Sequence, residues 1–287
     1  MKEVTEEWIR RTDDIFHQQS MPIRARPMKA WERWSIETGP SRMDSPEART
    51  IFDWYKANYP PGSFDIGSLF AGAFFFDQAV WPLHVPIGYG TFVLAVNRMV
   101  EGMTSLIGDR LSRNSGALNT LSAVAMDCID YAYGFDDLRS ASLASAYARD
   151  LLSSADKELR ASVEVLLSKG PSQKVAESAA LAVEMFFKCF LAQYTGLDDA
   201  GAKKINHDLD EGLKRCLAHE AKSDLGVLVG TLGVLPKIGD RYVHRNRPLN
   251  ELWYTYSLAQ VAGSAVVRSL SGRDCRPTMK VDFPPKV

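Results

Sequence analysis

The stretch PSQKVAESAALAVEMFFKCFLAQYTG, residues 171–196, decides how the rest of this chain is read. Val175, Ala179, Ala182, Val183, Phe186, Phe187, Phe190 and Tyr194 recur at intervals of three and four, the spacing of a helix face. The face is too wide for a helix lying on a surface, so it predicts a helix packed on more than one side. Gly170-Pro171 marks a stop and restart, Ser172 is a candidate cap, and Gly196 stands where a C-terminal glycine ends a helix.

Such a helix needs partners, and the flanking sequence supplies them. Upstream, Leu143, Tyr147 and Leu151, then Leu159, Val163, Leu166 and Leu167, repeat at helical intervals. Downstream, Leu209, Leu213 and Leu217 line a shorter helix that begins near Asp208. The last long segment, residues 249–272, places Leu249, Leu252, Trp253, Tyr256, Gln260, Gly263, Val267 and Leu270 on one stripe, closed by Ser271-Gly272. The expectation is a mainly α fold, with an antiparallel helical bundle over residues 140–272 and a proline-containing tail over 273–287.

Residues 1–135 read as a separate, aromatic-rich and mostly helical region. Trp8, Ile9, Ile15 and Phe16 form a short amphipathic helix, which the two prolines of MPIRARPMKAW break. Ser45, Pro46 and Glu47 read as cap, first helical position and acidic first turn of a helix striped by Ile51, Trp54 and Tyr55, ended by Pro60-Pro61. Short β segments are expected over residues 80–96, where VWPLHVPI and TFVLAV flank a GYG turn and the prolines confine the first run to a sheet edge. From Ala95 onward, Met99, Met103, Leu106 and Ile107 stand at helical spacing.

Bulk properties exclude several classes. Apolar residues make up 46% of 287 and charged residues 24%, which supports a core and argues against wholesale disorder. The formal net charge is -1, so nucleic acid would need a local basic patch. The four cysteines are far apart, with no CxxC pair, so no metal site is expected and Cys189 reads as a core residue. MKEVTEEWIRR has no apolar leader character, so a cytoplasmic protein with reduced thiols is expected. Asp77, Pro82, His84 and Pro86 interrupt the most apolar region, residues 66–96, so it reads as core rather than membrane. Phosphate-loop, zinc-protease, nucleophile-elbow and dinucleotide motifs are missing, and no cofactor is expected.

Three places carry candidate chemistry. Glu184 and Lys188 form an i, i+4 pair, and Asn206, His207 and Asp208 precede a helix, where polar side chains cap free N–H groups. RYVHRNRPLN, residues 241–250, is the third. Pro248 suits a first turn, so the last helix starts near Arg247 or Pro248, with Arg241, Arg245 and Arg247 at its positive end and only Asp240 and Glu251 nearby to offset them. The stretch is either a solvated loop or a site where an anion meets N–H groups and guanidinium forks. His84 reads as a satisfied core histidine, and the acidic pairs at 136–137 and 198–199 as capping carboxylates.

The order of these pieces over about residues 140–270 resembles the HEPN superfamily. The residues that carry the resemblance are Ala182-Val183-Glu184 with Lys188 on a long helix, then His207-Asp208-Leu209 opening a shorter one. Residues 1–135 have no counterpart in it. Ribonucleases of that superfamily carry an arginine separated from a histidine by four to six residues, often RNxxxH, at the start of the last helix, and pair protomers around a shared, metal-free cleft. There the histidine exchanges protons and the arginine stabilises phosphate charge.

Arg245-Asn246 stands at the expected place, but Asn250 replaces the histidine, and an amide is no general acid or base near neutral pH. His244 precedes Arg245, and it is separated from Arg241 by only two residues, too close for the motif. The resemblance therefore implies a homodimer that binds a nucleotide or RNA phosphate through Arg241, Arg245, Asn246 and Arg247, with a role in defence, stress response or a toxin–antitoxin pair. Two alternatives stay open: a metal-independent endoribonuclease using His244 or His207 with Arg245, and a structural module whose N-terminal region contacts a protein partner.

Overall fold

The computed structural model describes residues 4–40, 42–60, 68–87, 95–140, 143, 145–221, 223–237, 239 and 245–278. Among them the fold is mainly α, with ten α-helices and one two-stranded sheet. The chain divides into two compact units, Met1–Gly67 and Ser68–Val287.

The first unit holds α1 (Glu6–Gln18), α2 (Arg26–Thr38) and α3 (Pro46–Asn58). Thr5 caps α1 by accepting from the Trp8 N–H at 3.2 Å, and Ser45 caps α3 by accepting from Ala48 at 3.1 Å. The segment around Pro27 differs from expectation. Pro27 does not break the chain but sits in the first turn of α2, where its missing N–H has no helical partner to lose. Ile9, Phe16, Ala30, Trp34, Ile51 and Tyr55 close the core of this unit. Within it, Arg26 bonds Asp13 at 3.3 Å and the Tyr59 hydroxyl at 2.9 Å.

The second unit begins with a hairpin. Strand β1 (Phe70–Phe76) pairs antiparallel with β2 (Ala79–Val85), from Phe70 opposite Val85 to Phe76 opposite Ala79. The run VWPLHV is thus extended as expected, but its partner is the upstream FAGAFFF, and the turn is Asp77-Gln78, with φ of 53° and 62°. The GYG segment and residues 91–94 lie outside the described residues. Helix does not begin at Ala95 either: His84 N–H donates to Met99 O at 2.7 Å and Glu101 N–H to Pro82 O at 2.9 Å, extending the sheet edge. Helix α4 (Ser105–Ser112) starts later, followed by α5 (Ser115–Ser140).

Helices α6 (Ala146–Leu166) and α7 (Lys174–Thr195) form an antiparallel hairpin. Ser162 Oγ donates to Val175 O at 2.9 Å near one end, and Cys189 Sγ approaches Ala148 O at 3.3 Å near the other. After α8 (Asp199–Ile205), α9 (Leu209–His219) and a 3-10 segment, α10 (Leu249–Ser271) runs beside α7 in the same direction. Arg245 N–H meets Gln173 Oε1 at 2.8 Å at their starts, and the Tyr194 hydroxyl donates to Ser269 O at 2.7 Å at their ends. Helix α5 lies along α10, with Ser264 Oγ donating to Asp127 O at 2.9 Å.

Helix α7 is the hub, as its wide apolar face predicts. Phe186, Phe187 and Phe190 are at most 1% exposed, each contributing about 1.5–3 kcal/mol by burial. The expected boundary near 135–140 is replaced by one at 67/68, because β1 and α5 bury Phe70, Phe74, Cys128 and Tyr131 in the same core as α7 and α10. The start of the expected tail is folded as well: Cys275 N–H donates to Asp130 Oδ1 at 2.7 Å, and Arg273 pairs with Asp137 at 2.6 Å.

Candidate functional site

The entrance of α10 is built by Pro248. A proline restricts the residue before it to extended backbone, so the helix cannot reach back into Arg247. Pro248 is the N-cap, one position ahead of the first turn, so the helix starts at Leu249, and it offers no side-chain cap; Glu251 and Leu252 N–H both turn back to its carbonyl, at 3.0 and 3.1 Å. Arg245 and Asn246 are exposed just ahead of this end. The Arg245 backbone is pinned to Gln173, the N-cap of α7, which ties the loop to a second helix start.

Arg247 behaves differently. Its Nη1 donates to Val234 O at 3.0 Å, and its Nε is buried without a hydrogen-bond partner among the described residues, which costs on the order of 1–3 kcal/mol. Arg247 therefore holds the loop against the segment carrying Val234 rather than facing outward. Asn250, in the first turn of α10, is exposed. Arg241 and His244 lie outside the described residues.

The two short motifs meet on one carboxylate. Glu184 Oε1 accepts from Lys188 Nζ at 2.6 Å, and its Oε2 stands 2.8 Å from His207 Nδ1. The Glu184–Lys188 pair is not the exposed couple its spacing predicts: both side chains are under 15% exposed. Nor is His207 a cap. Asp208 caps α9, accepting from Glu211 N–H at 3.0 Å, which leaves the His207 ring to Glu184.

His207 and Arg245 are not brought together. Glu184, which holds His207, lies eleven residues along α7 from Gln173, which holds Arg245; that is about 16 Å of helix axis.

His84 is satisfied but not buried. Its Nδ1 lies 3.0 Å from Ser68 Oγ and its Nε2 2.6 Å from Glu101 Oε2, at 39% side-chain exposure. Burial pushes the Cys189 and Cys216 thiols up to about 12, which suits small core residues rather than nucleophiles. Asp198 caps α8 as expected, whereas Asp136 and Asp137 sit inside α5, facing Arg139 and Arg273.

Among the described residues, no group of three or more His, Cys, Asp or Glu is placed to hold a metal ion, and no helix is long and apolar enough to cross a membrane. Sequence reading missed two arginine-centred clusters. Arg268 joins Asp127, Asp130 and Asp224, and Arg160 joins the carbonyl of Leu69 and Asp156, which also accepts from the Tyr131 hydroxyl. The Arg160–Asp156 spacing of four was a visible signal; the Arg268 partners, 44 to 141 residues away, left none. No family model, curated protein or solved structure matches this chain.

Proposed function

We propose that this protein is HEPN-like and binds a nucleotide or RNA phosphate at the entrance of α10, without an intact nuclease motif. The observation that carries this reading is the helix start itself. Pro248 brings no side-chain cap, and Arg245 and Asn246 stand exposed at the positive end of α10. Glu184 supports the HEPN assignment, since it links the Ala182-Val183-Glu184 element to His207-Asp208-Leu209 through one carboxylate.

Cleavage is not assigned. Asn250 stands where that superfamily's ribonucleases have histidine, and His207 is engaged by Glu184 away from Arg245. Arg247 acts by positioning the loop on Val234. The reading extends to a cytoplasmic homodimer with a role in defence or stress response, which light scattering of the purified protein tests at the level of assembly.

The deciding experiment titrates a single-stranded, 5′-phosphorylated RNA and ATP against the protein at several salt concentrations, with chelator present. Binding should weaken with salt, and Arg245→Ala should reduce the log–log slope by about 1, one phosphate contact. Failure of both probes to bind, or an unchanged slope in the variant, overturns the reading. Cleavage of the RNA in chelator transfers the function to the metal-independent ribonuclease.

A further inference from the structure

A cleft of about 670 Å³ opens between the second half of α5, the first half of α6 and Leu69, just ahead of β1. Small-molecule sites span about 300–1,000 Å³, so the space accepts a compact organic ligand. Leu69, Leu138 and Leu152 make its apolar surface, and Arg139, Arg149 and Arg160 bring three guanidinium groups to it.

The charges in the cleft are unequally committed. Asp156 is saturated: both its oxygens lie 2.9 Å from Arg160 Nε, and Oδ1 also accepts from the buried Tyr131 hydroxyl at 2.9 Å. Arg160 is held in place by that carboxylate and by the Phe70 ring, 5.2 Å away, while its Nη1 has no partner among the described residues. Arg139 is 3.9 Å from Asp136, beyond hydrogen-bond length. Arg149 lines the cleft with no side-chain partner among the described residues. Guanidinium N–H groups of Arg149 and Arg160 without partners among the described residues thus stand beside an apolar surface, in a lining of three arginines and three aspartates. Asp136 and Asp150 are lining carboxylates without a hydrogen bond among the described residues, and they would repel a second negative group.

We infer that this cleft binds a small organic oxyanion, a carboxylate or a phosphate monoester, whose single acidic group pairs with Arg149 and whose apolar body lies on Leu138 and Leu152. Arg160, fixed by Asp156 and the Leu69 carbonyl, supplies a preorganised second donor. The site stands apart from the α10 entrance. Helix α6 starts beside the far half of α7, where Cys189 meets Ala148, so the inference does not rest on the phosphate reading there.

The test titrates the full chain with 3-phenylpropionate, phenyl phosphate and the neutral 3-phenylpropan-1-ol, read by calorimetry and ligand-observed NMR. At least one oxyanion should bind, with the alcohol weaker by about tenfold or more. Arg149→Gln should weaken the oxyanion by a similar factor. Ser153→Trp, an exposed lining position, should block the cleft and remove binding while leaving the thermal melt unchanged. Which oxyanion binds distinguishes a carboxylate from a phosphate source. Absence of binding by either oxyanion at millimolar concentration overturns the inference, as does equal binding of the alcohol. Binding that survives both substitutions in folded variants overturns it as well.

Discussion

Glu184 illustrates how much a single carboxylate is asked to hold. It accepts from Lys188 and faces His207, with its own side chain only 13% exposed. Glu184→Ala would leave the Lys188 ammonium nearly buried and without its partner. Breaking a fully buried pair costs about 3–5 kcal/mol, and the partial exposure here lowers that to about 2–3 kcal/mol, measurable as a shift in the urea midpoint. Replacing both residues, Glu184→Leu with Lys188→Met, should recover most of the loss, because the stranded charge goes too. Asp274 gives a pH signature. Its hydrogen bonds from Arg276 hold its carboxyl at about 2, below the ordinary 3.8, so its contribution is complete above pH 3.8 and lost as pH falls toward 2. Asp274→Asn should therefore flatten the acid-side fall of stability in that window, read from melting temperatures across pH. The spacing of Glu184 and Lys188 was legible in the sequence; the arrival of His207 from 23 residues away was not.

At the scale of elements, α10 shows why a stripe of mixed residues can be buried. Gln260 lies in the core, where Tyr256 donates to its oxygen at 3.0 Å and its own amide donates to Ser264 at 3.1 Å. Gly263 has a different reason to be there. A Cβ at that position would stand 2.8 Å from the Phe186 ring and 3.1 Å from the Tyr131 ring, where α5, α7 and α10 converge. Gly263→Ala should cost about 1–3 kcal/mol by overpacking, despite the better helix propensity of alanine, and lower the melting temperature accordingly. The long helices were legible because three- and four-residue periodicity is a local property. The hairpin was only half legible. A β-prone run does not name its partner, and Asp77-Gln78 lacks the glycine that usually marks a two-residue turn.

Across the second unit, Arg268 is the widest junction. It reaches Asp127 at 2.8 Å and Asp130 at 3.0 Å on α5, and Asp224 at 3.0 Å on the 3-10 segment after α9. Arg276 from the C-terminal segment shares Asp224 at 2.8 Å. Asp130 is fully buried, so Arg268→Ala would leave it uncompensated and should lose about 3–5 kcal/mol, the largest single charge-removal effect expected in this unit. Arg268→Lys should fail to rescue, since one ammonium cannot reproduce a fork spanning three carboxylates. Equilibrium unfolding of both variants checks this.

By itself the sequence determined that the chain is mainly helical, where α3, α6, α7 and α10 run, that Ser45 caps α3, and that Cys189 is core. Each of these follows from periodicity, capping chemistry or composition, which act within a few residues. Only the tertiary structure decided that β1 pairs with β2, that β1, β2 and α5 join the helical core, that His207 turns to Glu184, and that Arg247 reaches Val234 while Arg245 stays exposed. Those outcomes depend on which buried groups must find partners across long separations, and unpaired polar groups in a close-packed interior cost too much for local preference to prevail.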